Sequence, residues 1–139
     1  MAREINTPRP IIKAASACVW RGDEVLLVQR GKTFGHGSWA LPGGKIEAGE
    51  TAAEAALREL LEETGVNASL VSHVGDFELA GPGVYYVISC WTGRYLSGEA
   101  VAQSDVKAVK WLDFRAIAAL NLVSGNAEAV ARARQLLTG

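Results

Sequence analysis

The chain has 139 residues, 49% of them hydrophobic and 21% charged, and 14 Lys and Arg against 15 Asp and Glu leave a net charge of −1. That balance suits one packed domain over residues 1–139 rather than a disordered chain. It supplies neither the basic field that polymeric DNA or RNA needs nor a polybasic run for a membrane surface. A small anionic ligand remains open, because it needs only local positive groups. Cys18 and Cys90 lie far apart in apolar stretches, outside any CxxC pair, and read as buried reduced thiols. The first ten residues, MAREINTPRP, have no apolar core of signal-peptide type. No stretch approaches the ~20 apolar residues of a membrane helix. A soluble, cytoplasmic protein is the expectation.

Residues 1–10 read as an extended lead-in. Apolar runs at 14–20 and 25–28, joined by Arg21-Gly22-Asp23, predict a hairpin of two largely buried strands. The glycine-rich residues 31–38, GKTFGHGS, predict a loop. A brief apolar segment, Trp39-Ala40-Leu41, ends at Pro42-Gly43-Gly44. Residues 51–64 give the clearest helix: Thr51 and Glu54 form a T-x-x-E capping box, and Gly65 suits a left-handed stop. Strands are expected at 66–74, 84–91 and 106–112, with 84–91 central because of its aromatic and β-branched content. Gly75-Asp76 and Gly81-Pro82-Gly83 punctuate the region between the first two. A short helix at 114–120 and an amphipathic one from Asn126 or Ala127 to Leu137 complete the chain. Strands on both sides of one strong helix predict an α/β fold with a mixed sheet covered by helices.

On a helical wheel of residues 51–64, Leu57, Leu60 and Leu61 fall with Ala53 on one side, the expected docking stripe. Glu59, Glu62 and Glu63 share the opposite side with Ala52, Ala55 and Ala56. Three like charges at i, i+3, i+4 repel by a few tenths of a kcal/mol per pair. A hard divalent cation removes that repulsion, and Mg²⁺ prefers oxygen ligands. Immediately upstream, GGKIEAGE offers close backbone approach at Gly43 and Gly44, a mobile charge at Lys45 and delivery to a helix N-terminus, which favours anions.

Residues 44–66, GKIEAGETAAEAALRELLEETGV, resemble the Nudix box, G-x5-E-x7-R-E-U-x-E-E-x-G-U, where U is a bulky aliphatic. Every fixed position is filled, by Gly44, Glu50, Arg58, Glu59, Leu60, Glu62, Glu63, Gly65 and Val66. The resemblance implies a Nudix-type α/β/α sandwich and hydrolysis of a nucleoside diphosphate linked to another group, with Mg²⁺, or Mn²⁺ in its place. It implies Glu59, Glu62 and Glu63 as metal ligands, with the Gly44 carbonyl beside them. Arg58, grouped with Glu62 and Glu59 in the catalytic machinery, reads with Glu50 as scaffolding, Arg58 pairing a carboxylate to fix the loop. Asp105 is the first choice for a further carboxylate and Glu99 the second. Glu62 is the choice for general base, with Glu59 and Glu63 as alternatives, since sequence does not separate ligand from base.

For the substrate, Arg30, Lys32 and His36 could meet phosphate or ribose. Trp39, Phe34, Tyr85 and Tyr86 are candidate stacking platforms, each worth about 1–3 kcal/mol per base. The family's ADP-ribose branch often carries a proline sixteen residues beyond the box, here Pro82, which tips the expectation towards ADP-ribose. A nucleoside triphosphate, normal or oxidised, is the alternative, and a nucleotide sensor without turnover is a third reading. Similar proteins frequently dimerise, so a homodimer through the N-terminal segment or residues 84–91 stays open.

Overall fold

The computed structural model describes residues 9–31 and 37–138. Strand β1 (Ile11–Arg21) turns through Gly22, at φ 62°, into β2 (Glu24–Arg30). The two strands pair antiparallel only at Trp20↔Val25 and Arg21↔Glu24 and then diverge. The gap is filled from both sides: β3 (Trp39–Ala40) pairs with β2, and β4 (Gly43–Lys45) pairs with β1. The other edge of β1 runs parallel to β6 (Val84–Ser97), which is antiparallel to β5 (Asn67–Gly81). Strand β7 (Val106–Asp113) lies antiparallel on the outer edge of β2. The result is the mixed sheet expected, with β6 in its interior.

Alternation along β1 builds two cores. Ala15, Ala17 and Val19 face helix α1 (Ala52–Thr64), where they join Leu26 beneath Ala55, Ala56 and Leu60. Cys18 and Trp20 face helix α2 (Asn126–Thr138), joining Leu27, Val74 and Cys90 beneath Ala129, Val130 and Ala133. This period-2 partition is what a strand buried on both faces requires. A 3₁₀ helix, Phe114–Ala119, closes the α2 side through Ile117. No helix among the described residues is long and apolar enough to cross a membrane.

The ends of α1 follow their local chemistry. Thr51 Oγ1 accepts from Glu54 N at 3.1 Å while Glu54 Oε1 accepts from Thr51 N at 2.9 Å, completing the capping box. Gly65 sits at φ 77° and donates to the Leu61 carbonyl. The carbonyls of Glu63 and Thr64 accept from Gln103 N and Val101 N.

The docking face of α1 differs from the leucine stripe. Ala55, Ala56 and Leu60 are fully buried, whereas Leu57 is 37% and Leu61 47% exposed. Ala52, Ala55, Ala56, Glu59 and Glu63 share one arc, and that arc meets the alanines of β1. Small residues on both sides let the helix approach the sheet closely, so Glu59 and Glu63 are turned inward while Glu62 stays exposed at the edge. Strands β5 and β6 also exceed expectation. The β5–β6 ladder takes up Val74 as the extra residue of a register shift between His73 and Gly75, and Gly75 itself pairs with Cys90, so the strand continues through the glycine. Of the expected lead-in at 1–10, residues 1–8 lie outside the described residues.

Candidate active site

A cleft of about 410 Å³ opens where β1 and β2 part company. One set of lining residues is polar and charged: Gly43, Gly44 and Lys45 of β4, Glu59, Glu62 and Glu63 of α1, with Arg30 and Asp105. A second set is mostly apolar: Phe77 and Leu79 of β5, Tyr86, Ile88 and Cys90 of β6, and the stretch from Val123 to Asn126 before and into α2.

Glu63 is the most buried of the acids, at 7% exposure, and its Oε1 accepts from Gly43 N at 3.1 Å. Burial, reinforced by the charges of Glu59 and Asp105, pushes its carboxyl up to about 7, against the opposing pull of the Gly43 N–H and Arg30. Burial also raises the Glu59 carboxyl above the usual range, with Arg58 working against it. Glu62 is the most open of the three, its side chain 54% exposed.

Arg58 ties these groups together. Its Nε donates to Glu50 Oε2 at 2.6 Å, and its Nη2 to Glu50 Oε1 and the Lys45 carbonyl at 3.0 Å each. Glu50 accepts from Glu47 N as well, and the Arg58 guanidinium holds its carboxyl below the ordinary value. The structure thus identifies Glu50 as the carboxylate that Arg58 pairs most closely, and the pair pins the loop before α1. The third nitrogen, Nη1, is shared by Glu59 Oε2 at 3.1 Å and Glu62 Oε1 at 3.2 Å.

Among the described residues, no three His, Cys, Asp or Glu side chains form a ready-made cation cage. The donor set nevertheless fits a hard divalent cation. Two carboxylates already converge on one positive atom, Arg58 Nη1. A Cβ placed on Gly44 would lie 2.5 Å from the Glu59 carboxyl carbon, so this acid rests against bare backbone. All the donors are oxygens.

Of the residues singled out from the sequence, Arg30, Gly43, Gly44, Lys45, Glu59, Glu62, Glu63, Asp105 and Tyr86 line the cleft. Trp39 does not: it packs on the α2-side core with Lys110 Nζ 4.5 Å above its ring, because β3 is held between Gln29 and Leu122. Tyr85 is also outside, its hydroxyl donating to Glu78. Glu99 does not line the cleft; its carbonyl lies beside Gly65. Pro82 is in the β5–β6 turn and likewise lines no part of it. Lys32, Phe34 and His36 fall outside the described residues. The sequence reading missed Phe77, Leu79, Ile88 and Asn126. The first three alternate along β5 and β6, a signal visible once those strands are extended to their full length. Asn126 shows in the sequence only as a helix start.

The sequence model of the NUDIX domain matches residues 10–133. The chain belongs to the NUDIX family. It is 39% identical over 75 residues to a putative 8-oxo-dGTP diphosphatase of Bacillus subtilis, covering 53% of this chain and 49% of that one. It is 30% identical over 102 residues to an ADP-ribose pyrophosphatase of Methanocaldococcus jannaschii, covering 72% of this chain and 60% of that one. The matched stretch thus spans about half the length of these curated relatives. The MutT protein of Methanosarcina mazei Go1 shares the fold, with a TM-score of 0.83 at 21% identity over 96% of this chain and 100% of that one.

Proposed function

We propose that this NUDIX chain hydrolyses a phosphoanhydride bond of a small nucleotide, with Mg²⁺, or Mn²⁺ in its place, held by Glu59, Glu62, Glu63, Asp105 and the Gly44 carbonyl. The observation that carries this reading is the pairing, in one cleft, of the three α1 carboxylates with an apolar and aromatic wall, a surface on which a nucleobase can pack. When bound, the cation neutralises diphosphate charge and lowers the pKa of a coordinated water. Arg58 keeps the loop and two of the acids in register through its five hydrogen bonds. Lys45 and Arg30 bring positive charge to the phosphates. Glu62, the acid most open to solvent, accepts the proton of the attacking water as the new P–O bond forms and the bridging P–O bond breaks.

The preference for ADP-ribose rested on Pro82. Because that residue lines no part of the cleft, the preference passes to nucleoside triphosphates, normal or oxidised, in line with the name of the Bacillus subtilis relative. ADP-ribose is the second reading, supported by the Methanocaldococcus jannaschii relative. A panel of dNTPs, oxidised dNTPs, ADP-ribose, NADH and nucleotide sugars, incubated with Mg²⁺, tests both. A nucleoside monophosphate with pyrophosphate supports the first, and AMP with ribose 5-phosphate the second. Binding without products would replace both with the sensor reading. Glu62→Gln and Glu63→Gln should each lower kcat at least a hundredfold while the far-UV dichroism stays unchanged, as expected for general acid–base or ligand groups; wild-type turnover in either variant would remove that glutamate from the mechanism.

A further inference from the structure

We propose that Asn126 is a positioning residue that fixes the base-side wall of the cleft and so sets selectivity for a nucleotide over a bare polyphosphate; this rests on the nucleotide reading above. The wall is built from two segments distant in sequence. Trp39 N donates to the Asn121 carbonyl and Val123 N to the Trp39 carbonyl, so residues 121–123 run parallel to β3. The next rung of a parallel ladder would take Leu41 N to the Val123 carbonyl. That carbonyl is turned away: it accepts instead from Asn126 N at 3.1 Å and from Asn126 Nδ2 at 2.9 Å as the chain enters α2. Asn126 Oδ1 takes its place and accepts from Leu41 N at 2.9 Å. One side-chain amide therefore supplies the missing rung and holds the carbonyl it replaces.

Leu41, Val123 and Asn126 all line the cleft, with Ala129 one turn further along α2. The acidic side has separate anchors. The Pro42 carbonyl accepts from Ala17 N, Gly43 N donates to Glu63, and residues 43–45 form a ladder with β1. Loss of the Asn126 amide consequently loosens the base side ahead of the phosphate side.

The test compares wild type with Asn126→Ala and Asn126→Asp. Binding of a nucleoside triphosphate and of inorganic tripolyphosphate is measured by calorimetry with Ca²⁺, and turnover of both with Mg²⁺. Asn126→Asp keeps an acceptor for Leu41 N but sets an oxygen against the Val123 carbonyl, and its near-identical shape serves if the alanine variant fails to fold. The expected result is a loss of nucleotide-over-tripolyphosphate selectivity of about tenfold, the scale of one or two net hydrogen bonds, with nucleotide KM rising more than kcat falls. Equal losses for both ligands would make Asn126 a general brace and overturn the proposal, as would no loss for either. A wild type without preference for the nucleotide also overturns it. A wild type that binds nucleotide selectively but turns over neither ligand overturns the hydrolase reading and leaves the role of Asn126 standing.

Discussion

Two adjacent glycines, Gly43 and Gly44, do different work. At Gly44 a Cβ would collide with the Glu59 carboxylate, a flexible side-chain end that can swing aside. At Gly43 a Cβ would strike the Ala15 carbonyl and the Ser16 backbone, which cannot move without opening the β1–β4 ladder. Gly44→Ala should therefore fold with near-native stability while cation affinity falls about tenfold or more, the scale of one displaced charged ligand group. Gly43→Ala should lose stability instead, on the order of 1–3 kcal/mol as overpacked sites do. Urea unfolding and Mg²⁺ titration, run side by side on the two variants, separate the effects. Equal cation affinity in Gly44→Ala and wild type would mean that Glu59 does not hold the ion.

At the scale of elements, α1 shows what was legible and what was not. Its caps were, because a capping box and a terminal glycine are chemistry among near neighbours in the chain. Its orientation was not. A wheel weighted by bulk chooses leucines for the core, and carboxylates are almost never fully buried in ordinary helices. Here the sheet beneath is alanine, so alanines dock and Glu59 and Glu63 turn inward, a local rule broken at a site of chemistry. The same limit hid the wall opposite: the Asn126–Leu41 bond spans residues far apart in sequence, and β5 continues through a glycine that a turn reading treats as a break. The inverted face has measurable consequences. Leu57→Lys and Leu61→Lys should change stability by no more than about 0.5 kcal/mol, as exposed substitutions do. Leu60→Ala should cost about 2–5 kcal/mol through the cavity it leaves, and Ala56→Leu, pressed on β1, about 1–3 kcal/mol. Urea midpoints for the four variants check the ordering; a large loss in Leu61→Lys would restore the leucine stripe as the docking face.

For the whole molecule, inward-turned acids tie stability to pH and to cations. Glu63 keeps its proton to about pH 7 in the folded state, chiefly because of burial, whereas its ordinary value is 4.5. Between those values the folded form binds more protons than the unfolded one, so stability falls as pH rises from about 4.5 to about 7 and levels off above. Glu59, also raised by burial, adds to that slope. Glu50, lowered by Arg58, has the opposite sign, but its contribution is lost only as pH drops below 4.5, outside this window. A cation held by ionised carboxylates competes with their protons, so its stabilisation must grow over the same range. The metal-free protein should therefore show a Tm that declines between pH 5 and pH 7.5. The increase in Tm on adding Mg²⁺ should be small at pH 5 and largest above pH 7. Glu63→Gln, uncharged at every pH, should flatten the metal-free decline and reduce the Mg²⁺ increment. Scanning calorimetry of wild type and variant, with chelator and with Mg²⁺, measures all of these quantities. A metal-free Tm that rises through this window in wild type, or a decline as steep in Glu63→Gln as in wild type, would show that the buried carboxyl on α1 does not govern the coupling.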